Sequence, residues 1–238
     1  MKINSIISLF LLAAATTASA QSVDDVIKKY TKATGGPDEQ KKLKTVKMTG
    51  KMKQGGMDFP MVIQIMNGTA MRADITVQGM TIIQAFKDTS GWSVNPLSGA
   101  TTAQKMNPEE LKDSKEQSDL VSDLADYKAR GHKVELIGKE DVEGTETYKV
   151  KLAKKDGDVE YYYLDAETYL PLKMSTKMKY GEKEVESDTY FSDYKDVGGV
   201  KMAHSTQIKS GGQVVFETVF DKIEANVTID EAIFKMPQ

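Results

Sequence analysis

Between Met57 and Pro96 the chain falls into strand-length segments joined by turns too short for any crossover. This stretch therefore folds as consecutive hairpins. In Phe59 to Met66, the residues Phe59, Met61, Ile63 and Ile65 point one way and Val62 and Met66 the other. Asn67-Gly68 then offers the positive-φ pair of a tight hairpin turn. From Thr69 to Val77, Met71, Ala73, Ile75 and Val77 oppose Ala70, Arg72, Asp74 and Thr76. Gly79 precedes an apolar segment from Met80 to Phe86, and Asp88 to Gly91 turns the chain into Trp92. The expected product is an antiparallel meander with one continuous apolar face, either a core or the floor of a cavity for lipid.

The remaining pattern extends this sheet. Leu43 to Met52 reads as the strand before it, with Val46, Met48, Gly50 and Met52 on one face. Seven more strands are expected at His132 to Ile137, Thr145 to Leu152, Val159 to Leu164, Leu170 to Tyr180, Glu184 to Tyr194, Val200 to Lys209 and Gln213 to Glu224. Gly138 to Gly144, Asp156-Gly157, Asp165 to Thr168, Gly181-Glu182, Gly198-Gly199 and Gly211-Gly212 separate them. Such spacing indicates a curled antiparallel sheet or barrel rather than parallel βαβ units.

Helices are few. Ser22 to Ala33 places Val23, Val26, Ile27 and Tyr30 on one face, with Ser22 as N-cap and Gly35-Gly36-Pro37 as the stop. Asn107-Pro108-Glu109-Glu110 starts a second helix, expected to run to Ala129 and close at Gly131. Its second half carries Leu120, Val121, Leu124 and Tyr127 at helical spacing. That helix is either a cover over an opening in the sheet or a permanently docked part of the core. Asp230 to Phe234 suits a last helical turn.

At the N-terminus, Lys2, an apolar run from Ile3 to Ala15 and Ala18-Ser19-Ala20 read as a secretory signal peptide cleaved after Ala20. The mature chain is then exported. Residues 21–238 form the expected single domain, long enough for a sizeable core. The chain has 32 basic and 35 acidic residues, a mild negative balance that argues against nucleic acid. It has no cysteine, which excludes disulfides, thiolate metal sites and cysteine nucleophiles.

Catalytic constellations are sparse. His132 and His204 stand alone, short of the three or four ligands a zinc site needs. No nucleophile elbow, phosphate loop or dinucleotide fingerprint occurs. No metal, cofactor or catalytic residue is expected. Methionine is abundant, with Met48, Met52, Met57, Met61, Met66, Met71 and Met80 close together. Flexible thioethers suit a surface that adapts to varied apolar partners, although they also fill cores. By strand parity, Met48, Met52, Met61, Ile63, Ile65, Met71, Ile75 and Val77 are the expected cavity lining, with Leu120 and Leu124 from the covering helix.

The order of several short motifs resembles the outer-membrane lipoprotein-sorting, or LolA-like, superfamily. It runs from an N-terminal helix ending in Gly35-Gly36 through Thr49-Gly50-Lys51, Met71-Arg72-Ala73-Asp74, Gly91-Trp92 and Asn95-Pro96. After the mid-chain helix come Tyr163-Leu164-Asp165 with Thr168, Phe191-Ser192-Asp193-Tyr194, Gly198-Gly199-Val200 and Phe234-Lys235-Met236-Pro237. The resemblance implies a mainly β (α+β) fold: a curved, incomplete antiparallel β-barrel whose concave face is closed by helices. It implies a periplasmic carrier of lipid acyl chains or lipoproteins, exchanging cargo with membrane-associated donor and acceptor proteins; a monomer is expected. Arg72 matches an arginine that contributes to ligand-controlled opening in the family, or else is a surface or edge charge paired with Asp74 or a neighbour. The proline–arginine–aromatic segment of the typical carrier is not evident. An envelope-assembly module using the sheet as a scaffold, or a hydrolase using dispersed carboxylates, is the alternative.

Overall fold

Residues 21–180 and 183–237 are described by a computed structural model. The expected signal peptide and the Gly181-Glu182 turn lie outside these residues. Thirteen antiparallel strands form one open curved sheet. The first meander comprises β1 (Thr45–Gln54), β2 (Met57–Met66), β3 (Ala70–Val77), β4 (Met80–Lys87), β5 (Ser90–Asn95) and β6 (Ala100–Lys105). The second comprises β7 (Lys133–Val142), β8 (Thr145–Ala153), β9 (Val159–Asp165), β10 (Pro171–Tyr180), β11 (Lys183–Val197), β12 (Val200–Ser210) and β13 (Gln213–Ala225). β1 pairs with β13, so the two meanders join mid-sheet, and β6 and β7 form the edges.

Among the described residues, four α-helices accompany the sheet: α1 (Val23–Thr34), α2 (Gly36–Gln40), α3 (Pro108–Ser118) and α4 (Tyr127–Arg130). The Ser22 hydroxyl accepts from the Asp25 amide, satisfying an end-of-helix donor of α1. Gly35, at φ +94°, ends α1, and Pro37 sits in the first turn of α2. The expected stop is thus both an end and a new start.

Register assigns the buried face. Val46 stands opposite Ile65, which stands opposite Met71. In the other half, Leu136, Val150, Tyr162, Met174, Thr189, Ile208 and Phe216 follow one another across seven strands. Two apolar clusters form on this inner face. Val26, Ile27 and Tyr30 of α1 pack with Leu124 on Val150, Leu152 and Leu164. Leu43, Val46, Met48, Ile65, Met71 and Val200 form the other cluster, with Leu120 against it.

Several local expectations need correction. The mid-chain helix does not reach Ala129: Asp119 turns extended (φ −86°, ψ 113°), and a strap over residues 119–126 separates α3 from α4. The reason is tertiary. The Asn67 Oδ1 accepts from the Leu120 amide at 2.9 Å, and the Gln40 Oε1 accepts from the Ser122 amide at 3.0 Å. Side chains on neighbouring elements thus take the donors that a continuing helix would have used internally. Leu120 and Leu124 accordingly lie on this strap and not on a helix. Asn67-Gly68 does not form a two-residue turn: only Gly68 takes positive φ (+70°), in a loop closed by the Met66–Ala70 pair. Strand β7 continues through Gly138 to Val142, because Gly138 at φ +145° absorbs a register shift. After Pro96 a short 3₁₀ turn leads back into the edge strand β6, where the sequence had looked merely polar.

Candidate functional site

Cross-strand pairing brings the eight proposed lining residues of the strands onto the inner face. Met48 stands opposite Ile63, Met61 opposite Ile75, and Ile65 opposite Met71. Met52 stands opposite Phe59, and Val77 opposite Met80. Met48, Met61, Ile65 and Met71 are buried, whereas Met52, Ile63, Ile75 and Val77 are half-buried. Coverage is uneven along the strands. The end near Leu43 is packed under the strap, and Phe59 and Met61 are buried farther along, whereas Met52, Ile63, Ile75 and Val77 keep part of their surface open. Met57 and Met80, beside the β1–β2 and β3–β4 turns, are 52% and 38% exposed.

Leu120 joins the Met48–Ile65–Met71 cluster, whereas Leu124 is fully buried in the α1 cluster. The strap therefore spans both clusters across the inner face. Phe59, Ile82 and Phe220 share that face by register and were missed as lining. Phe59 was readable from its alternation with Met61. Phe220 was not, because the β1–β13 register shifts between Thr49 and Gly50.

Arg72 points to the outer face. Its guanidinium donates to both carboxylate oxygens of Asp74 and to the Ile233 carbonyl at 2.7 Å, and lies 5.7 Å from the Trp92 ring centre. The Trp92 Nε1 donates to the Phe234 carbonyl at 2.9 Å. Together these bonds fasten the C-terminal 3₁₀ turn Glu231–Phe234 to the outside of the first meander. Among the described residues, Arg72 therefore works as a staple, on the side of the sheet away from the apolar lining.

A polar network anchors the strap at its other flank. Lys154, 8% exposed, reaches Glu160 at 2.7 Å, Glu116 at 3.1 Å and Asp123 at 3.2 Å. Burial alone would lower its pKa. The Glu160 hydrogen bond and the surrounding carboxylates outweigh that and raise it, so the ammonium stays charged. Arg130 pairs with Asp119 at 2.8 Å and Asp123 at 2.7 Å, and the His132 Nε2 lies 3.6 Å from Asp123. Sequence spacing gave no hint of this grouping, since its members come from α3, the strap, α4 and the β8–β9 hairpin.

The one cluster with metal-ligand geometry among the described residues is Glu116, Asp156 and Asp158, all exposed. Lys112 sits among them, 2.6 Å from Asp158 and 3.0 Å from Asp156, and supplies the positive charge itself. No described helix is long and apolar enough to cross a membrane.

A family model whose description reads "Uncharacterized protein" matches residues 71–238. The chain belongs to this family. Its fold is that of the LolA superfamily. The LolA-like sheet is similar to that of a LolA superfamily protein from Nitrosomonas europaea (TM-score 0.56, 10% identity), covering 91% of this chain and 98% of that one. A domain named for outer membrane lipoprotein sorting in Vibrio parahaemolyticus is similar at TM-score 0.57 and 13% identity, with 90% and 95% covered. A DUF1329 family protein from Desulfovibrio piger gives TM-score 0.58 at 14% identity, with 91% and 98% covered. At such identities the LolA-like likeness is one of fold. No curated protein matches the chain.

Proposed function

We propose that this LolA-like chain is a non-catalytic periplasmic carrier that holds acyl chains of lipids or lipoproteins against its inner face. The observation that supports it most is the convergence of Met48, Met52, Met61, Ile63, Ile65, Met71, Ile75 and Val77 on one face, half of them incompletely covered. An acyl chain would first lie along Met52, Ile75 and Val77. Reaching Met48, Ile63, Ile65 and Met71 requires the strap to lift Leu120 away. Burial recovers about 0.8 kcal/mol per CH₂, enough for one long chain to offset the loss of the strap's own contacts. Thioethers tolerate chains of differing length and branching. Cargo would pass between membrane-associated donor and acceptor proteins, with the strap returning on release.

The test is organic extraction of natively purified protein with mass spectrometry of bound lipid, alongside uptake of a fluorescent fatty acyl probe. Ile63→Glu places a carboxylate at the centre of the lining and is expected to abolish uptake. A lipid-free extract together with absent uptake by the wild type would overturn the carrier reading. Undiminished uptake by the variant would remove the inner face as the binding surface.

A further inference from the structure

The outer face carries a cavity of about 380 Å³ that the carrier reading does not use. Its floor is a cross-strand grid. Tyr190 on β11 stands opposite Gln207 on β12, which stands opposite Glu217 on β13; Ser192 stands opposite Ser205 in the adjoining row. The tip of the β7–β8 hairpin, including Val142 and Thr145, forms the wall. Lys209 holds that tip in place by donating to the Glu143 carboxylate at 2.8 Å.

The uncharged polar groups that line this cavity are unspent. Among the described residues, the side chains of Thr145, Ser192, Ser205 and Gln207 and the Tyr190 hydroxyl have no hydrogen-bond partner in the protein. Hydroxyls and a primary amide each donate and accept, which matches the adjacent hydroxyls of a sugar ring. Val142 and Leu172 supply apolar surface for its C–H face. Lys209 lies 4.0 Å from the Tyr190 ring centre and Lys173 6.0 Å, so Tyr190 offers its hydroxyl rather than a stacking face.

Charge argues against an anionic ligand. The carboxylates Glu143 and Glu217 border the site, while the nearby cations are engaged, Lys209 by Glu143 and Lys53 by Glu217 at 3.4 Å. The volume is at the lower end of small-molecule sites, suited to one or two rings. The groups stand on paired strands, so little ordering cost attends binding.

We infer that this outer cavity is a saccharide subsite for one or two neutral sugar rings. It lies on the face opposite the apolar lining, and neither reading depends on the other.

The experiment is a protein-observed NMR titration of the purified protein with maltose, cellobiose and N,N′-diacetylchitobiose. At least one is expected to give saturable shifts confined to β11, β12 and the β7–β8 tip. Gln207→Ala is expected to weaken that binding about tenfold, as loss of a ligand hydrogen bond commonly does. Ser205→Ala provides a second, smaller truncation in the same grid, and thermal melts establish that both variants fold. Ile63→Glu, on the other face, is expected to bind the sugar as the wild type does. The inference is overturned by no saturable shift from any of the three at tens of millimolar, by shifts mapping elsewhere, or by undiminished affinity in both alanine variants. Inorganic phosphate shifting the same resonances would equally overturn it, in favour of an anion site. Acyl-probe uptake is a separate readout, so either reading can fail alone.

Discussion

Two single residues show how little slack the structure has. Gly50 sits where β1 and β13 shift register, and a Cβ there would lie 2.1 Å from the Val219 carbonyl oxygen and 2.7 Å from the Phe220 Cα. Both obstacles are backbone, so the strands themselves must part. Gly50→Ala is expected to cost about 3 kcal/mol in urea unfolding; an unchanged midpoint would show that this pairing yields easily. Lys154 is the second. Three carboxylates surround its ammonium, and Lys154→Met leaves them facing one another. Breaking a buried ion pair typically costs 3–5 kcal/mol, and since Glu116 is 45% exposed, about 2–3 kcal/mol is expected here. A loss below about 0.5 kcal/mol would mean the group behaves as an ordinary surface pair.

At the scale of elements, Asn67 ties the start of the strap to its neighbours. The Asn67 amide donates to the Gln40 and Leu43 carbonyls at 3.0 and 2.9 Å while its oxygen accepts from Leu120. Asn67→Ala therefore removes three bonds that join the end of α2, Leu43 and the strap to the β2–β3 loop. It is expected to destabilise by about 2–3 kcal/mol and to speed amide hydrogen exchange selectively over residues 119–126. Uniform exchange would sever the link between Asn67 and the strap. The strap also marks where sequence stopped being legible. Strands such as β2 and β3 announce themselves, because alternation at period two is a local signal that burial on one face enforces. Leu120, Val121, Leu124 and Tyr127 satisfied helical spacing equally well, yet tertiary acceptors from Asn67 and Gln40 captured the backbone and broke the helix. The same limit explains the site. Lining from β1 to β3 was legible by parity, whereas Phe220 on β13 and the outer Tyr190–Gln207–Glu217 row require long-range register. Arg72 was legible as a conspicuous charge. Its place on the outer face followed from its alternation with Met71, but its partner, the C-terminal turn, did not.

For the molecule as a whole, exposed ion pairs tie α3 to the β8–β9 hairpin and α1 to α4, and set its response to acid. The hydrogen bond from Lys112 holds the Asp156 carboxyl below its ordinary value, and the hydrogen bond from Tyr127, with Lys128, does the same for Asp24. A lowered folded-state pKa means the stabilisation is complete above the ordinary carboxylate value. It is lost as pH falls through the lowered one. Urea midpoints are therefore expected to be flat between about pH 5 and 8 and to fall below about pH 4, with α3 and α4 loosening first; a decline beginning near neutrality would require other groups. The lysine partners act oppositely: the Lys112 pKa is raised by Asp158 and Asp156, so its share is lost only in strong alkali. The seam between β1 and β13 has a further consequence. A ribosome delivers β1 early and β13 last, so the first meander must wait, with one border unzipped, for nearly the entire polypeptide to emerge. Until then its methionine-rich side has no second half to curl against, and the nascent chain is a natural client for a holding chaperone.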